Sequence, residues 1–216
     1  MNLKELLRDS KKRVAFGTAL AIVFLFGCVG TMMTISHSLS KSATFEELMP
    51  GAFLMARTNA THASIGIMDL MSATSKKIEE ASALDQTKQK DLVLEKLKTA
   101  GELNTQAKAL ALDLSNYLKY MTNSLSLIKD SSARDRAYAA ISTEVTLVEE
   151  FLSYADSLDA FLVEAIEVVG HATPDDAERV KSALQEANEK AIRVNDLNKR
   201  FLTQLNAFDV TLFKNR

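Results

Sequence analysis

The chain has 216 residues, of which 47% are hydrophobic and 25% are charged, and its formal net charge is −2. This length allows one sizeable core, and the hydrophobic share argues against disorder. The small net charge argues against a nucleic-acid-binding protein, which usually has an excess of Lys and Arg. The 7 Gly and 2 Pro are too few for the many turns of a β-sandwich. The single Cys excludes a disulfide framework within the chain.

A long apolar segment follows a basic amino terminus. Residues 1–13 contain 5 Lys or Arg against 2 acids, and residues 14–35 contain no charge. A helix needs roughly 20 apolar residues to cross a bilayer, and basic flanking residues stay on the cytoplasmic side. We therefore expect a cytoplasmic segment at 1–13, a transmembrane anchor at 14–35 in a bacterial inner membrane, and a periplasmic or extracellular domain at 36–216.

A cleaved lipoprotein signal is the alternative to a retained anchor. The sequence Leu25-Phe26-Gly27-Cys28 resembles a lipoprotein processing site, with Cys28 as the lipidated residue. Phe26 is bulky at a position where such sites prefer a small residue. The chain also stays apolar beyond Cys28, which favours a membrane helix that is not cleaved.

The rest of the chain is typical of an all-α protein. Turn-forming residues are rare, and they separate four long stretches with helical periodicity. These stretches predict four helices of similar length: 44–82, 86–129, 133–169 and 174–214. Long helices of matched length with short connections form an antiparallel up-down bundle.

The expected helix starts carry capping residues. Thr173 offers an N-cap hydroxyl before Pro174, and acids follow in the first turn. Two further starts have capping-box spacing: Thr44 with Glu47, and Ser132 with Asp135.

Apolar residues spaced alternately three and four positions apart form a seam on each helix, and such seams predict the bundle core. The fourth-helix seam is Val180, Leu184, Ala187, Ala191, Val194, Asn198, Phe201, Leu205, Phe208 and Leu212. One third-helix seam is Leu147, Phe151, Tyr154, Leu158, Phe161, Ala165 and Val168. The other is Ile141, Val145, Val148, Leu152, Ala155, Asp159, Leu162, Ile166 and Val169. The second helix offers Ala100, Leu103, Ala107, Leu110, Leu114, Tyr117, Met121 and Ile128, and the first offers Phe53, Ala60, Ile67, Met71, Thr74 and Ile78.

Three polar residues interrupt these seams: Arg57, Asp159 and Asn198. If residues 84 and 173 mark the far end of the bundle, the helical rise puts Arg57 level with about residue 200. We therefore expect Arg57 and Asn198 to lie within about one turn of each other, with Asp113 nearby and Asp159 in a separate place.

The polar pair has two interpretations. A buried polar layer can fix the register of a bundle, and Arg57 can extend its head group to water. Alternatively, Arg57 and Asn198 form a cleft in which Arg57 holds a small anionic ligand and Asn198 orients it.

Motifs of catalysis and of cofactor binding are missing from the sequence. We find no Gly-rich phosphate loop, no HExxH motif and no nucleophile elbow. The 3 His are scattered at positions 37, 62 and 171, so no metal cluster is expected. We expect a protein that is not an enzyme and that uses no cofactor.

The layout resembles the four-helix-bundle sensor domain of methyl-accepting chemotaxis receptors. It shares a basic start, a membrane helix leading into a long first bundle helix, Pro50 near the base of that helix, and three further long helices. The resemblance implies a dimeric signal-transduction module that binds small solutes or partner proteins. In that family, arginines on the first helix often hold anionic ligands, and Arg57 is the only arginine at 44–82.

One departure leaves two function classes open. The resemblance implies a second membrane span and a cytoplasmic signalling region after the fourth helix, whereas this sequence stops at Arg216. Either the sequence is truncated before that span and the domain is a sensor, or it is a single-span accessory or scaffold protein of a cell-envelope complex. A reading frame that continues into about 20 apolar residues would favour the sensor.

Overall fold

The computed structural model describes residues 49–85, 89–169 and 173–214. Several predictions from the amino-terminal sequence lie outside these residues: the basic segment 1–13, the anchor 14–35, processing at Cys28, and the cap formed by Thr44 and Glu47. Within the described ranges, no helix combines the length and apolarity that crossing a membrane requires.

The described chain folds into four long helices. We name them α1 (Gly51–Asp85), α2 (Lys90–Ser124), α3 (Ser131–Glu167) and α4 (Pro174–Lys214), and a short 3-10 turn, Leu125–Leu127, extends α2. The part of the chain that the structure describes contains no β-strand. The all-α class is therefore confirmed, and the bounds of α4 agree with the prediction.

Consecutive helices pack against each other in antiparallel directions. On α1 and α2, Glu80 lies opposite Lys96, with 3.7 Å between Oε2 and Nζ. Further along the pair, Gly66 lies opposite Leu110. Residue numbers therefore fall along α1 as they rise along α2. Short connections repeat this arrangement and give a four-helix bundle. The start of α1 and the end of α4 therefore lie at the same end of the bundle.

The ends of α3 and α4 show one correction and one confirmation. The cap of α3 is Asp130, whose carboxylate accepts a hydrogen bond from the Ala133 N–H at 2.7 Å. The predicted cap at Ser132 was wrong, because the chain is already helical there while Asp130 is still extended. At α4 the prediction is confirmed, since Thr173 Oγ1 accepts from the Asp176 N–H at 3.2 Å. The Thr173 N–H donates back to Asp176, and this bond lowers the pKa of the Asp176 carboxyl.

Most of the predicted seam residues form the core, with one shift of register in α2. In the second α3 seam only alternate residues are buried: Ile141, Val148, Ala155 and Leu162. Every predicted seam residue of α1 is buried, as is every residue of the first α3 seam, and in α4 only Leu184 is partly exposed. In α2 the seam is displaced by one residue at alternate positions, because Asn104, Ala111 and Leu118 are buried where Leu103, Leu110 and Tyr117 were expected. The sequence prediction preferred the larger apolar residue at each of these three positions, and those residues lie half-buried beside the seam.

Small residues set the helix spacing. The α1–α2 interface is rich in alanine, and a Cβ added to Gly66 would lie only 2.7 Å from Leu110 Cδ1. Small side chains let two helix backbones approach closely. The α1–α4 backbones are farther apart than those of the other neighbouring pairs, so long side chains must fill the space between them.

Candidate functional site

A buried ion pair joins α1 to α4. Arg57 occupies the seam of α1 between Phe53 and Ala60, and its side chain reaches across to Asp209 of α4. Arg57 Nη1 donates to Asp209 Oδ1 at 2.8 Å, and Nη2 donates to Oδ2 at 2.9 Å. Arg57 is 8% exposed and Asp209 is 3% exposed. Two parallel, charge-assisted hydrogen bonds fix both the distance and the orientation of the two groups.

Aromatic rings cover this ion pair. The Phe208 ring centroid lies 5.8 Å from Arg57 Cζ. Phe53 and Phe208 contact each other in a tilted arrangement, with 6.1 Å between ring centroids. A guanidinium near an aromatic ring gains a favourable electrostatic contact, and the low dielectric around the pair strengthens its hydrogen bonds.

Glu144 of α3 is a second buried acid, and the charge of Arg57 acts on it. It is 6% exposed and lies on the seam of α3, between Ala140 and Leu147. Burial raises the pKa of Glu144 to about 8, and the positive charge of Arg57 opposes this rise. At neutral pH the carboxyl is therefore mostly protonated and uncharged.

Glu144 and Asn198 line one small cavity in the centre of the bundle. The cavity has a volume of about 20 Å³, which is room for a single water molecule. Ser64 of α1 supplies a third polar wall. The remaining walls are apolar and come from all four helices: Ile67, Ala111, Leu114, Leu147, Val148, Phe151, Phe201 and Leu202.

The two residues predicted as a ligand cleft thus occupy different surroundings. Arg57 is paired with Asp209, whereas Asn198 is buried and lines the cavity. A cavity of about 20 Å³ does not admit a small carboxylate as it stands. Their role in ligand binding stays a prediction.

The predicted neighbours of Arg57 were wrong in detail. Asp113 is exposed, and the carboxylate beside Arg57 is that of Asp209, about nine residues beyond the expected level. The estimate assumed that the far ends of α1 and α4 are level. It also placed the first turn at residue 84, whereas α1 continues to Asp85 and α2 begins at Lys90.

Asp159 belongs to a separate cluster between α2 and α3, as expected. Asn104 Nδ2 donates to Asp159 Oδ1 at 2.6 Å and to the Ala155 carbonyl at 2.8 Å. Lys108 Nζ donates to Asp156 and Asp159, and these bonds raise the pKa of Lys108. The cluster lies at the α2–α3 boundary and gives that pair of helices a fixed register.

Sequence reasoning missed Glu144 and Asp209, although both left a signal. Extending the first α3 seam from Leu147 towards the amino terminus by one step of three residues reaches Glu144. Asp209 is the only acid at 197–214, a segment otherwise rich in apolar residues. An acid at a seam position or in such a stretch indicates a carboxyl group that folding buries, which is rare for Asp and Glu.

Metal-binding groups were also sought among the described residues. No group of three or more His, Cys, Asp or Glu among them is arranged to hold a metal ion. His62 is exposed on α1.

Comparison of the chain with protein-family models, with curated proteins and with solved structures gives no significant match.

Proposed function

We propose that the chain is a membrane-anchored, extracytoplasmic sensor module of a bacterial inner membrane. In this proposal α1 continues from the predicted anchor, and the buried Arg57–Asp209 pair connects α1 to the helix that ends at the same side of the bundle. The observation that carries the proposal is this pair, because it holds together two helices whose backbones lie farther apart than other neighbours.

The energetics of buried ion pairs support a switching role. Replacing such a pair by apolar residues of similar volume is often neutral or stabilising, because two charges must lose their hydration. Arg57 and Asp209 are therefore a poor means of gaining stability. They are a good means of giving the α1–α4 contact two states, paired and unpaired, as a conformational switch requires.

A small anionic ligand is the input that this geometry favours. A ligand carboxylate offers the same two oxygens as Asp209, so it can replace that side chain on the planar guanidinium of Arg57. The displacement would separate α4 from α1 at the end near the predicted anchor. Binding of the ligand would then be coupled directly to the separation of α4 from α1, which is the conformational change that a sensor needs to transmit.

A thermal-shift screen of small carboxylates and amino acids tests the proposal on the full chain in detergent micelles. A binding carboxylate should raise the Tm of the wild type. Arg57→Met should abolish the shift, because the guanidinium is lost. Asp209→Asn should tighten binding by about tenfold or more, because it removes the competing carboxylate.

Asp113→Asn is the matched control, since Asp113 is an exposed acid of the same bundle. It should leave the ligand response unchanged. A carboxylate that binds Arg57→Met as tightly as the wild type would contradict the proposed site.

A second candidate function is a scaffold role in a cell-envelope complex. It is favoured by large hydrophobic side chains that are exposed to solvent, one on each of the four helices: Met55, Tyr120, Tyr138 and Ile192. Exposed apolar side chains are common on soluble proteins when they are scattered. Tyr120→Lys with Tyr138→Lys should abolish assembly of a scaffold and should leave carboxylate binding by a sensor intact.

A further inference from the structure

We propose that Glu144 and the central cavity form a buried site that binds one proton and one water molecule, and that loss of this proton draws Arg57 away from Asp209. The proton site is argued from geometry, while its effect on signalling rests on the proposed function. The site would make the α1–α4 contact respond to pH as well as to an anionic ligand.

The geometry of the cavity favours a small polar occupant. Among the described residues that line it, Glu144 is the only one that ionises, and Asn198 and Ser64 supply further hydrogen-bonding groups. Burial and the charge of Arg57 set the pKa of the Glu144 carboxyl, and no hydrogen bond contributes to it. A buried polar group without a protein partner usually binds water, and about 20 Å³ is enough for one molecule.

The charges around Glu144 explain why a proton is the preferred ligand. Arg57 of α1 acts on Glu144 electrostatically, and Asp209 of α4 already neutralises Arg57. From α2 the cavity receives only Ala111 and Leu114, which carry no charge. Ionised Glu144 would therefore leave one unbalanced negative charge inside the bundle, and a proton removes it.

Ionisation of Glu144 also creates a competitor for the arginine. Arg57 then attracts two carboxylates: that of Asp209 on α4, to which it is hydrogen-bonded, and that of Glu144 on α3, on which its charge acts. A second carboxylate must weaken the first interaction, because both use the same positive charge. The α1–α4 contact should therefore loosen as the proton leaves.

The sign of the pH effect follows from linkage. Burial raises the pKa of Glu144 from 4.5 to about 8, so the folded chain keeps a proton that the unfolded chain releases. Stability is therefore highest below the unfolded pKa, and it falls as the pH rises from about 4.5 towards 8.

The first experiment measures the Tm of the full chain in micelles between pH 5 and pH 9 by circular dichroism. We expect the wild-type Tm to fall across this range. Glu144→Gln should flatten the fall, because the amide imitates the neutral acid at every pH. Glu149→Gln, a change at an exposed position of the same helix, should keep the wild-type slope.

Infrared difference spectroscopy identifies the group directly. The wild type should show the carbonyl band of a protonated carboxylic acid at pH 7, and this band should disappear in Glu144→Gln. A band that remains in Glu144→Gln, or a pH slope equal to that of the wild type, would overturn the proton site. If Glu144→Gln does not fold, the infrared titration of the wild type decides, because an acid already ionised at pH 6 contradicts the proposal.

The second experiment measures the coupling between Arg57 and Asp209 with a double-mutant cycle of Arg57→Met and Asp209→Leu. The coupling is the part of the Tm change in the double variant that the two single variants do not add up to. In the wild-type background it should be smaller at pH 9 than at pH 6. It should not depend on pH in the Glu144→Gln background. Equal coupling at both pH values would overturn the competition for Arg57, whereas the carboxylate screen would still test the proposed function separately.

Discussion

At the scale of residues, the bundle contains polar groups of two kinds. Asn104, Asp159 and Lys108 are joined by hydrogen bonds at a helix boundary, where Asn104 is buried while Asp159 and Lys108 are partly exposed. Arg57 and Asp209 are almost fully buried and connect the two most widely spaced neighbouring helices. The first arrangement can fix the register of α2 against α3. The second holds α1 and α4 together, so breaking the ion pair would change the packing of these two helices.

Removing one partner of the buried pair should cost much more than removing both. We expect Asp209→Leu to lower the free energy of unfolding by about 3–5 kcal/mol, because Arg57 is left charged and buried. Arg57→Met combined with Asp209→Leu should recover most of this loss, because the apolar side chains can pack against Phe208. Chemical unfolding followed by circular dichroism measures both values.

Arg193→Met, at an exposed position of α4, is the control and should change stability little. A double variant as unstable as Asp209→Leu would show that the pair contributes net stability. The interpretation of the pair as a switch would then lose its energetic basis.

At the scale of elements, the periodicity of the sequence predicts the helices well because most seam positions are apolar. The predicted α4 agrees from Pro174 to Lys214, where the three-and-four spacing is uninterrupted. The prediction failed where a polar or small residue is buried. Asn104 was passed over for Leu103, because hydrophobicity alone does not show that an amide has partners across the interface. The pairing of Arg57 with Asp209 depends on the axial shift between helices, which no local pattern contains.

The cap of α3 offers a test at this scale. Asp130→Ala should lower the free energy of unfolding by about 1 kcal/mol or more, because the Ala133 N–H loses its acceptor. Ser132→Ala should have almost no effect, since Ser132 is exposed and already inside the helix. Thermal unfolding of the two variants separates these outcomes, and a larger loss from Ser132→Ala would restore the capping box predicted from the sequence.

At the scale of the whole molecule, the bundle leaves less of α1 free for a partner than the sequence indicated. Four apolar residues of the first helix lie outside its predicted seam, and this pattern by itself favours a dimer face: Leu54, Ile65, Met68 and Leu70. Met68 is buried within the bundle, and Leu70 packs against the core. Leu54 and Ile65 stay partly exposed, and Met55 is exposed on the same helix. These three residues are therefore the candidates on α1 for the homodimer that the resemblance to chemotaxis receptors implies.

Association can be measured by sedimentation of the full chain in micelles. We expect a weak dimer, and Met55→Lys should shift it towards monomer if α1 forms the contact. His62→Lys changes another exposed position of α1 and serves as the control. A wild type that stays monomeric at high concentration would contradict the receptor-like assembly.

The predicted topology joins the basic segment, the anchor and the bundle in one orientation. Residues 1–13 carry a surplus of Lys and Arg before the uncharged segment 14–35, so they should remain in the cytoplasm and direct the bundle outside. Alkaline phosphatase fused after residue 216 should be active, because the enzyme matures only after export. A cytoplasmic reporter at the same position should be inactive.

Replacing Lys11, Lys12 and Arg13 by Gln should reduce phosphatase activity, since it weakens the charge bias that sets the orientation. Activity of the cytoplasmic reporter in the unaltered chain would place the bundle, with its carboxylate and proton sites, on the opposite side of the membrane.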